Sequence, residues 1–393
     1  MPSTLSSLPL SGLHVLDLSA YLPGALCTML LADWGAEVTK VEPRLGGDPL
    51  RRGPDPVRQE SAYFLGVNRN KKSLAIDLRH EAGRTIVQRL AATADVFVEG
   101  YRPGKAARLG FDYPTLAQAN PRLVYLSLSG YGQQGPWSGR GGHDLNYLAL
   151  TGMLSLLADR DGRPIEPGIP LGDVLGALIG LGAVLAALWE RQQTGHGRYL
   201  DATIYEGAFY CLAPLITAAA AGAPVSPGGL ALSGGWPCYG VYATREGRFM
   251  ALAAIEPHFW SDFCHLVGRD DWAPLGWSLG AEGQRVRAEV AALFASRTQA
   301  EWIELLAGAD VCCEPVLSLP EALAHPQAKA RGLVTEVVSP GEGPLAQVGA
   351  PAAMGSVRTP PPRLGEHTAE VLRHLGYTEG EIDALAASRV IAV

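Results

Sequence analysis

Basic residues are scarce in this sequence and nowhere form a long run. Lys and Arg total 32 against 39 Asp and Glu, which gives a net charge of −7, and the densest basic cluster is the short segment NRNKKS at residues 68–73. Nucleic-acid binding relies on basic stripes that neutralise many phosphates, so this composition argues against a nucleic-acid partner. Any anion that binds here is predicted to be a small one.

The cysteine spacing, and the lack of a signal peptide and of a long apolar run, exclude further classes of protein. The six cysteines show no paired metal-ligand spacing, so we expect no metal site and a reducing, cytoplasmic setting. The N-terminus lacks the basic segment and the continuous apolar segment that a signal peptide contains. The uncharged run at residues 174–189 is 16 residues long, short of the roughly 20 that span a bilayer, so it predicts a buried helix and no membrane partner.

Short apolar runs alternate with helical stretches in the first half of the chain. Strands are predicted at residues 14–19, 37–43, 95–100 and 122–130, and a helix closed by Gly35 lies between the first two. Such βαβ alternation predicts an α/β fold with a parallel, Rossmann-like sheet. The turn after the first strand, SAYLPGAL, lacks the G-x-G-x-x-G phosphate loop, so a bound dinucleotide is disfavoured.

Two stretches rich in Gly, Pro and Ala divide the chain. They predict a large α/β domain at residues 1–215, a linker at 216–235, a smaller α+β domain at 236–332, a second linker at 333–362 and a C-terminal helical segment at 363–393. A strand hairpin around residues 245–248 opens the smaller domain.

Three titratable residues stand out from their local context. Asp173 precedes a long apolar helix, where it is either an N-cap or an acid whose charge the helix start stabilises. Glu256 ends an apolar strand, which would bury the acid and require a His or Arg partner. His143 follows a run of small residues, and taken alone it is more simply a structural histidine.

Motifs along almost the whole chain resemble family III CoA-transferases, the carnitine and bile-acid CoA-transferase group. They include NRNKKSLAIDL, VEGYRPG, GHDLNYLALTGML, ALWERQQTGHGRYLDATIYEG and AIEPHFW. Within that family the GHDLNYLAL and AIEP elements resemble the α-methylacyl-CoA racemases, and the chain lacks the Gly-rich loop that transferases carry in the small domain.

The resemblance implies a fold, a reaction and a site. It implies an interlocked homodimer and a racemase that inverts the α-carbon of 2-methylacyl-CoA thioesters by proton transfer through an enolate. His143, supported by Glu256, and Asp173 would be the acid and base on opposite faces, and backbone N–H groups at a helix start would hold the enolate oxygen. CoA would enter as part of the substrate, with no prosthetic group.

The predicted contacts for CoA combine the resemblance with the positions of cations. The resemblance favours Arg108 and residues 76–78, that is Ile76, Asp77 and Leu78, for the adenine and phosphate end, and Tyr147 for the pantetheine. The other cations available to the phosphates are Arg69, Lys71, Lys72, Arg79 and Arg102.

One departure from the racemase pattern leaves the reaction open. Racemases tend to have a PLNL run before the catalytic Asp, whereas this chain has EPGIPLGD with Ile169 and Pro170. That loop is more like a transferase loop. In a transferase, Asp173 would attack the thioester and carry the acyl group and then CoA. A binding protein without chemistry is the remaining alternative, disfavoured by the presence of His143, Asp173 and Glu256 together.

Overall fold

The computed structural model describes residues 8–53, 59–159, 161–227 and 229–393. The strands are β1 His14–Asp17, β2 Glu37–Pro43, β3 Lys71–Ile76, β4 Val96–Glu99, β5 Val124–Ser129, β6 Tyr199–Thr203, β7 Tyr239–Ala243, β8 Phe249–Ala253, β9 Cys313–Pro315, β10 Val334–Ser339, β11 Gly343–Val348 and β12 Ile391–Ala392. The α-helices are α1 Leu22–Asp33, α2 Ala62–Val67, α3 Glu81–Ala91, α4 Lys105–Leu109, α5 Tyr113–Ala119, α6 Asp144–Leu150, α7 Met153–Leu156, α8 Leu171–Thr194, α9 Ile204–Tyr210, α10 Ala213–Ala220, α11 Pro257–Leu266, α12 Gly280–Phe294, α13 Gln299–Leu306, α14 Leu319–Ala324, α15 Pro326–Ala330, α16 Thr368–His374 and α17 Glu379–Ala387.

The chain divides into two units, of which the larger holds the parallel sheet. This large unit comprises the described residues of Met1–Thr151, Pro167–Cys211 and Pro326–Val393. Its sheet has the strand order β12-β3-β2-β1-β4-β5-β6, and every pairing is parallel except that of β12 with β3. The predicted α/β fold with a Rossmann-like sheet is therefore confirmed.

The strand order reverses between β1 and β4, and this reversal positions the site. In open α/β sheets the crevice for ligands lies beyond the carboxyl ends of the strands at such a switch point. Two segments leave the sheet there: residues 18–21 after β1, and residues 100–102 after β4. Both segments line cavities in the structure.

The burial of β4 and β5 explains why their apolar sequences form strands of the sheet. All residues of β4 and β5 are buried, and continuous burial is typical of a parallel strand covered by helices on both faces. The helices α1 and α8 pack against each other in the large unit. Among the described residues, α8 is the one helix long and apolar enough to cross a membrane by those two measures. Its side chains Ala177, Leu181 and Val184 are buried in the core.

A buried ionic network lies under the loop that follows β1. Lys71 Nζ lies 3.3 Å from Asp17 Oδ2 and donates to Asn68 Oδ1 at 2.9 Å, while Lys40 Nζ lies 2.8 Å from Asp48 Oδ2. Burial lowers the pKa of Lys71 to about 8, against the attraction of Asp17. The interpretation of Lys71 as a phosphate-binding cation is therefore wrong, because its ammonium group is enclosed by protein.

Arg69 is enclosed in the same way and also holds the fold. Its guanidinium donates through Nε and Nη2 to the two oxygens of Asp33, at 3.0 and 2.6 Å, and Nη1 donates to Gln347 Oε1 at 3.3 Å. Arg69 and Asp33 are both fully buried. Arg69, which lies just before β3, thus links the end of α1 to β11 through Asp33 and Gln347. Its interpretation as a cation available to the phosphates of CoA is therefore also wrong.

The C-terminal segment completes the large unit. Helix α16 packs against β3, and α17 packs against α16 and β12. Strand β12 adds an antiparallel edge strand to the sheet through the pairing of Ile391 with Ile76. Residues 333–362, predicted as a linker, contain the antiparallel hairpin of β10 and β11. The predicted domain limits themselves stay a prediction.

The smaller unit comprises the described residues of Gly152–Glu166 and Leu212–His325. Its antiparallel sheet has the order β7-β8-β9, and β7 and β8 form the hairpin predicted around residues 245–248. Stacked aromatic side chains fill its core, among them Trp260, Phe263 and Trp272. This unit therefore has a hydrophobic core of its own.

Candidate functional site

Two cavities lie at the switch point of the large unit. The first, which we call the His143 cavity, has a volume of about 500 Å³ and its lining includes Gly100, Tyr131, His143 and Asp173. The second, the Asp77 cavity, has a volume of about 630 Å³ and is lined in part by residues 76–79. Ala20, Tyr21 and Tyr101 line both cavities. One elongated ligand can therefore contact both cavities past these three residues.

Four of the sequence-predicted site residues line the His143 cavity: Arg102, His143, Tyr147 and Asp173. Four others line the Asp77 cavity: Ile76, Asp77, Leu78 and Arg79. Lys72 and Arg108 line neither. Lys72 forms ion pairs with Glu37 at 2.7 Å and Glu370 at 3.0 Å, and Arg108 is an exposed residue of α4.

His143 is the residue before the first turn of α6. Its backbone N–H donates to Asn146 Oδ1 at 3.0 Å, which fixes the start of that helix. The ring is exposed and meets the edge of the Tyr21 ring, with centroids 5.9 Å apart and planes at 82°. The imidazole lines the His143 cavity, so a ligand in that cavity can reach it.

The small residues before His143 make room for Tyr147. The Tyr147 hydroxyl donates to the Gly142 carbonyl oxygen at 2.6 Å. A Cβ atom on Gly142 would lie 3.0 Å from the Tyr147 ring, and one on Gly130 would lie 2.3 Å from its hydroxyl oxygen. The glycines therefore allow the buried Tyr147 ring to pack directly against the loop that precedes His143.

Asp173 is not the N-cap of α8. It is the third residue of that helix, and the N–H groups of Gly172 and Asp173 are instead taken by the Asp144 carboxylate, at 2.9 Å for Asp173. The Asp173 carboxyl is thereby left free to face the cavity. Burial, together with the nearby Asp144 charge, raises the pKa of Asp173 to about 7.

This raised pKa predicts how the stability of an Asp173→Asn variant depends on pH. The folded protein retains the Asp173 proton between about pH 4 and 7 whereas the unfolded chain has lost it, so the wild type loses stability as pH rises through that window. Removing the titratable group should raise the free energy of unfolding at pH 8 by about 1 to 2 kcal/mol, after allowance for partial exposure, and leave it unchanged near pH 4. Urea unfolding at the two pH values measures this, with the exposed Asp262→Asn as control. An equal change at both pH values would contradict the pKa assignment.

Glu256 lies in the smaller unit and is exposed. It precedes the first turn of α11, three residues after β8 ends, so the burial expected from the apolar strand does not occur. The prediction of a buried acid is wrong for this reason. Its support of the His143 ring stays a prediction.

Tyr21 is a site residue that sequence reasoning missed. Its backbone has φ 66° and ψ −172°, a combination that only glycine adopts without strain, and its N–H donates to Asp48 Oδ1 at 3.3 Å. Asp48 is in turn paired with Lys40 in the buried ionic network. The network therefore holds a strained residue at the point where the two cavities meet.

The strain at Tyr21 predicts an inverted order of stability between glycine and alanine. Tyr21→Gly should be more stable than Tyr21→Ala by about 1 to 2 kcal/mol, because only glycine relieves the backbone. At the exposed helical position Ala288 the usual order should hold, with Gly about 1 kcal/mol less stable. Urea unfolding of the three variants and the wild type tests this. The usual order at both positions would show that Tyr21 is not strained.

Arg44 and Lys105 are two further residues that the sequence did not reveal. Both line the Asp77 cavity, and neither forms an ion pair with a described carboxylate. The Arg44 Nε atom is buried without a hydrogen-bond partner in the described structure, and Lys105 Nζ lies 4.1 Å from the centre of the Tyr101 ring. Arg79, in contrast, is exposed and paired with Asp77 at 2.6 Å. Arg44 and Lys105 are thus the cations available to an anion in this cavity.

Comparisons with known proteins agree on one family. The chain matches the model of CoA-transferase family III over residues 10–368. It is 37% identical to an alpha-methylacyl-CoA racemase of Mus musculus over 389 residues, covering 97% of each chain. It is 34% identical to a succinyl-CoA:glutarate CoA-transferase of Mus musculus over 394 residues, covering 98% of this chain and 90% of that protein.

A solved structure supports the same assignment. The crystal structure of a CaiB/BaiF family protein from Brucella suis aligns with a TM-score of 0.80 and 29% identity, over 94% of this chain and all of that one. The relatives include both a racemase and CoA-transferases. The chain is an enzyme of the CoA-transferase family III superfamily, as its motifs predicted, and it belongs to that family.

Proposed function

We propose that the protein is an acyl-CoA racemase that inverts the α-carbon of 2-methylacyl-CoA thioesters. The observation that carries this proposal is that one cavity is lined both by His143, directly before α6, and by Asp173, in the first turn of α8. An acid–base catalyst is most effective when its pKa lies near the working pH, and the pKa of Asp173 is about 7. A carboxyl group with a pKa near 7 is present at neutral pH in both its protonated and its ionised form, and the two directions of proton transfer use one form each.

Each turnover moves one proton off the α-carbon and one proton back. With one enantiomer, neutral His143 takes the α-proton while Asp173 is protonated, and the electron pair of the broken C–H bond moves into an enolate of the thioester. Asp173 then donates its proton to the opposite face of the carbon. The enzyme is left with protonated His143 and ionised Asp173, which is the state that accepts the other enantiomer.

The enolate oxygen needs hydrogen-bond donors, and the structure narrows the choice. The start of α8 is occupied, because Asp144 accepts from its first N–H groups. The first turn of any helix leaves N–H groups without partners in that helix, and α6 begins directly after His143 at the cavity. We therefore place the thioester oxygen at the start of α6.

The two switch-point cavities suit the two ends of an acyl-CoA. The nucleotide end would occupy the Asp77 cavity, where Arg44 and Lys105 face its phosphates and Ile76 and Leu78 contact the adenine. The pantetheine would pass Tyr21 and Tyr101 and reach Tyr147 in the His143 cavity. The proposed reaction needs no prosthetic group and no metal. CoA enters only as part of the substrate.

Chiral analysis of the acyl product tests the proposed reaction. Either enantiomer of a 2-methylacyl-CoA should approach the same mixture of the two when incubated with the enzyme alone. The His143→Ala variant should leave both enantiomers as supplied. An enzyme that leaves configuration unchanged yet moves CoA to an added carboxylic acid would overturn the proposal.

A CoA-transferase is the second candidate, and two arginines favour it. Arg102 and Arg140 line the His143 cavity, and neither pairs with a described carboxylate. Such a pair suits the free carboxylate of a dicarboxylic acid.

In the transferase reaction, ionised Asp173 attacks the thioester carbonyl and CoA leaves as a thiolate, which gives an acyl anhydride. The thiolate then attacks the Asp173 carbonyl and releases the acid, so that the aspartyl thioester can pass CoA to the acceptor.

Hydroxylamine distinguishes this alternative. It would trap the acylated Asp173 and inactivate the enzyme only in the presence of an acyl-CoA. The racemase forms no acyl-enzyme, so its activity should survive the same treatment.

We further propose a homodimer in a reducing, cytoplasmic setting. The large unit exposes a set of apolar side chains on α8 and α9, namely Leu178, Trp189, Phe209 and Tyr210. Exposed apolar surface of this kind marks interaction sites. Sedimentation at micromolar concentration should give a dimer, and Trp189→Glu should weaken it. A monomeric wild type would contradict the proposed homodimer.

The six cysteines are all unpaired in the structure, and the compartment stays a prediction.

A further inference from the structure

Tyr101 lies where the two switch-point cavities meet, and its backbone is held from two directions. It follows β4 and lines both the His143 cavity and the Asp77 cavity. Its N–H donates to Glu99 Oε2, and its carbonyl oxygen accepts from Gln133 Nε2 at 2.9 Å. Both hydrogen-bonding groups of the Tyr101 backbone are therefore engaged by side chains.

Glu99 is a buried acid that lies outside the lining of both cavities. It is the last residue of β4 and is 2% exposed. The hydroxyl groups of Tyr125 and Ser127 in β5 also donate to its carboxylate. A buried carboxylate is tolerated when hydrogen bonds replace those that it made with water. Together with the Tyr101 N–H, these donors fix the position of the Glu99 carboxylate.

Gln133 closes this network from the loop after β5. Its Nε2 donates to Ser127 Oγ at 2.9 Å as well as to the Tyr101 carbonyl oxygen. Its backbone N–H donates to the Asp201 carboxylate at 3.0 and 3.2 Å, which ties the loop to β6. Gln133 also lines neither cavity. Glu99, Ser127 and Gln133 thus form a ring of hydrogen bonds through the Tyr101 backbone, which we call the Tyr101 clamp.

The Tyr101 clamp orders the passage between the two cavities before a ligand arrives. A ligand that spans both cavities passes the Tyr101 side chain, whose ring is covered by the Lys105 ammonium group at 4.1 Å from its centre. Side chains and loops that become ordered only on binding reduce affinity, so a passage that is already ordered increases it. A ligand confined to the Asp77 cavity meets Tyr101 from one side and depends less on the clamp.

We propose that Glu99 and Gln133 are positioning residues for CoA, which act through Tyr101 on the passage between the two cavities. This inference rests on the proposed placement of the acyl-CoA across both cavities, and it holds for a racemase and a transferase alike. Neither residue touches the ligand. Each increases the affinity for a ligand that spans the cavities, because it holds the backbone of the residue that this ligand passes.

Calorimetry with two probes tests this role without any turnover. CoA spans both cavities, whereas adenosine 3′,5′-bisphosphate reproduces only its nucleotide end. Gln133→Met keeps the side-chain length but removes the Nε2 donor, and it should raise the Kd of CoA about tenfold and that of the bisphosphate less than about threefold. Glu99→Leu should act in the same way. Glu99→Gln retains an acceptor for the Tyr101 N–H and should recover most of the affinity for CoA.

Two comparisons separate positioning from a merely structural role. Asn120 is a half-buried amide that donates to the carbonyl oxygens of Ala91 and Ala94, at 3.1 and 2.7 Å, and lines neither cavity. Asn120→Leu should lower the free energy of unfolding and leave both Kd values unchanged. In a Tyr101→Ala background, Gln133→Met should change the Kd of CoA by less than about twofold, because the ring through which it acts is absent.

Each outcome of these measurements bears on the inference. Equal losses for both probes, an unchanged Kd of CoA in Gln133→Met, a Glu99→Gln variant as weak as Glu99→Leu, or the full tenfold loss in the Tyr101→Ala background would overturn it. A wild type that does not bind CoA would overturn it together with the proposed placement of the substrate. The expected pattern of Kd values supports the clamp even if no ester is racemised, which would defeat the proposed function alone.

Discussion

Replacing His143 or Asp173 by alanine is expected to lower racemisation of a 2-methylacyl-CoA by roughly a thousandfold in both directions. Every turnover uses both groups, one as base and one as acid, and a positioned proton-transfer group typically contributes between about 10² and 10⁴ in rate. The initial rates with each enantiomer, followed by chiral analysis, measure the effect. His196→Gln and Asp262→Asn replace exposed residues of the same types and should change the rates less than about twofold.

The partial reactions of these variants should differ. Asp173→Ala retains His143 and should still exchange the α-proton with solvent for the enantiomer whose proton faces the imidazole. His143→Ala should do so only for the opposite enantiomer. Loss of exchange for both enantiomers in both variants would contradict the assignment of one group to each face.

Removing the Arg69 side chain should have the largest effect on stability. Arg69→Ala leaves the Asp33 carboxylate fully buried without its bidentate partner, which should lower the free energy of unfolding by about 3 to 5 kcal/mol. Replacing both residues at once, with Arg69→Met and Asp33→Leu, removes the charges together and should recover most of that loss. Urea unfolding of the variants measures both changes.

Lys72→Ala is the matched control for Arg69. Its ion pairs with Glu37 and Glu370 lie at the surface, so its removal should cost less than about 1 kcal/mol. A stable Arg69→Ala protein that had lost only its affinity for CoA would contradict the structural role and restore Arg69 to the phosphate site.

The parts of the sheet that the sequence predicted are those with continuous apolar runs. β1, β4 and β5 are largely such runs, β2 was predicted from alternating Val and polar residues, and the predicted bounds of all four agree with the structure to within a few residues. β3 was missed because it begins with Lys71 and Lys72, and the charge of Lys71 is compensated by Asp17, far away in sequence. β12 has only two residues and is a strand solely because it pairs with β3.

The site also contains residues that the sequence predicted and residues that it did not. His143, Tyr147 and Asp173 were located by their motifs, and the structure places them in one cavity. Local sequence indicated that Asp173 caps α8, but the cap comes from Asp144, 29 residues earlier, which only the tertiary fold brings there. Tyr21 carries no local signal, since a tyrosine with positive φ depends on the ionic network beneath it.

The cations of the Asp77 cavity show why the phosphate site was harder to predict. Sequence position alone does not distinguish Lys105 from Arg108, which lie one turn apart on α4. Only the fold shows that Lys105 lines the cavity, while the arginine does not. The same holds for Arg44, which follows β2 and reaches the cavity because β2 and β3 are neighbours in the sheet.

Proton NMR in deuterated water tests the central claim most directly. The wild-type enzyme is incubated with each enantiomer of a 2-methylacyl-CoA, and the α-proton signal is followed. We predict that the α-proton is replaced by deuterium for both enantiomers at the rate at which configuration is lost, with His143 and Asp173 as the exchanging groups. An α-proton that persists while hydroxylamine inactivates the enzyme in the presence of acyl-CoA would contradict the racemase and identify Asp173 as the nucleophile of a CoA-transferase.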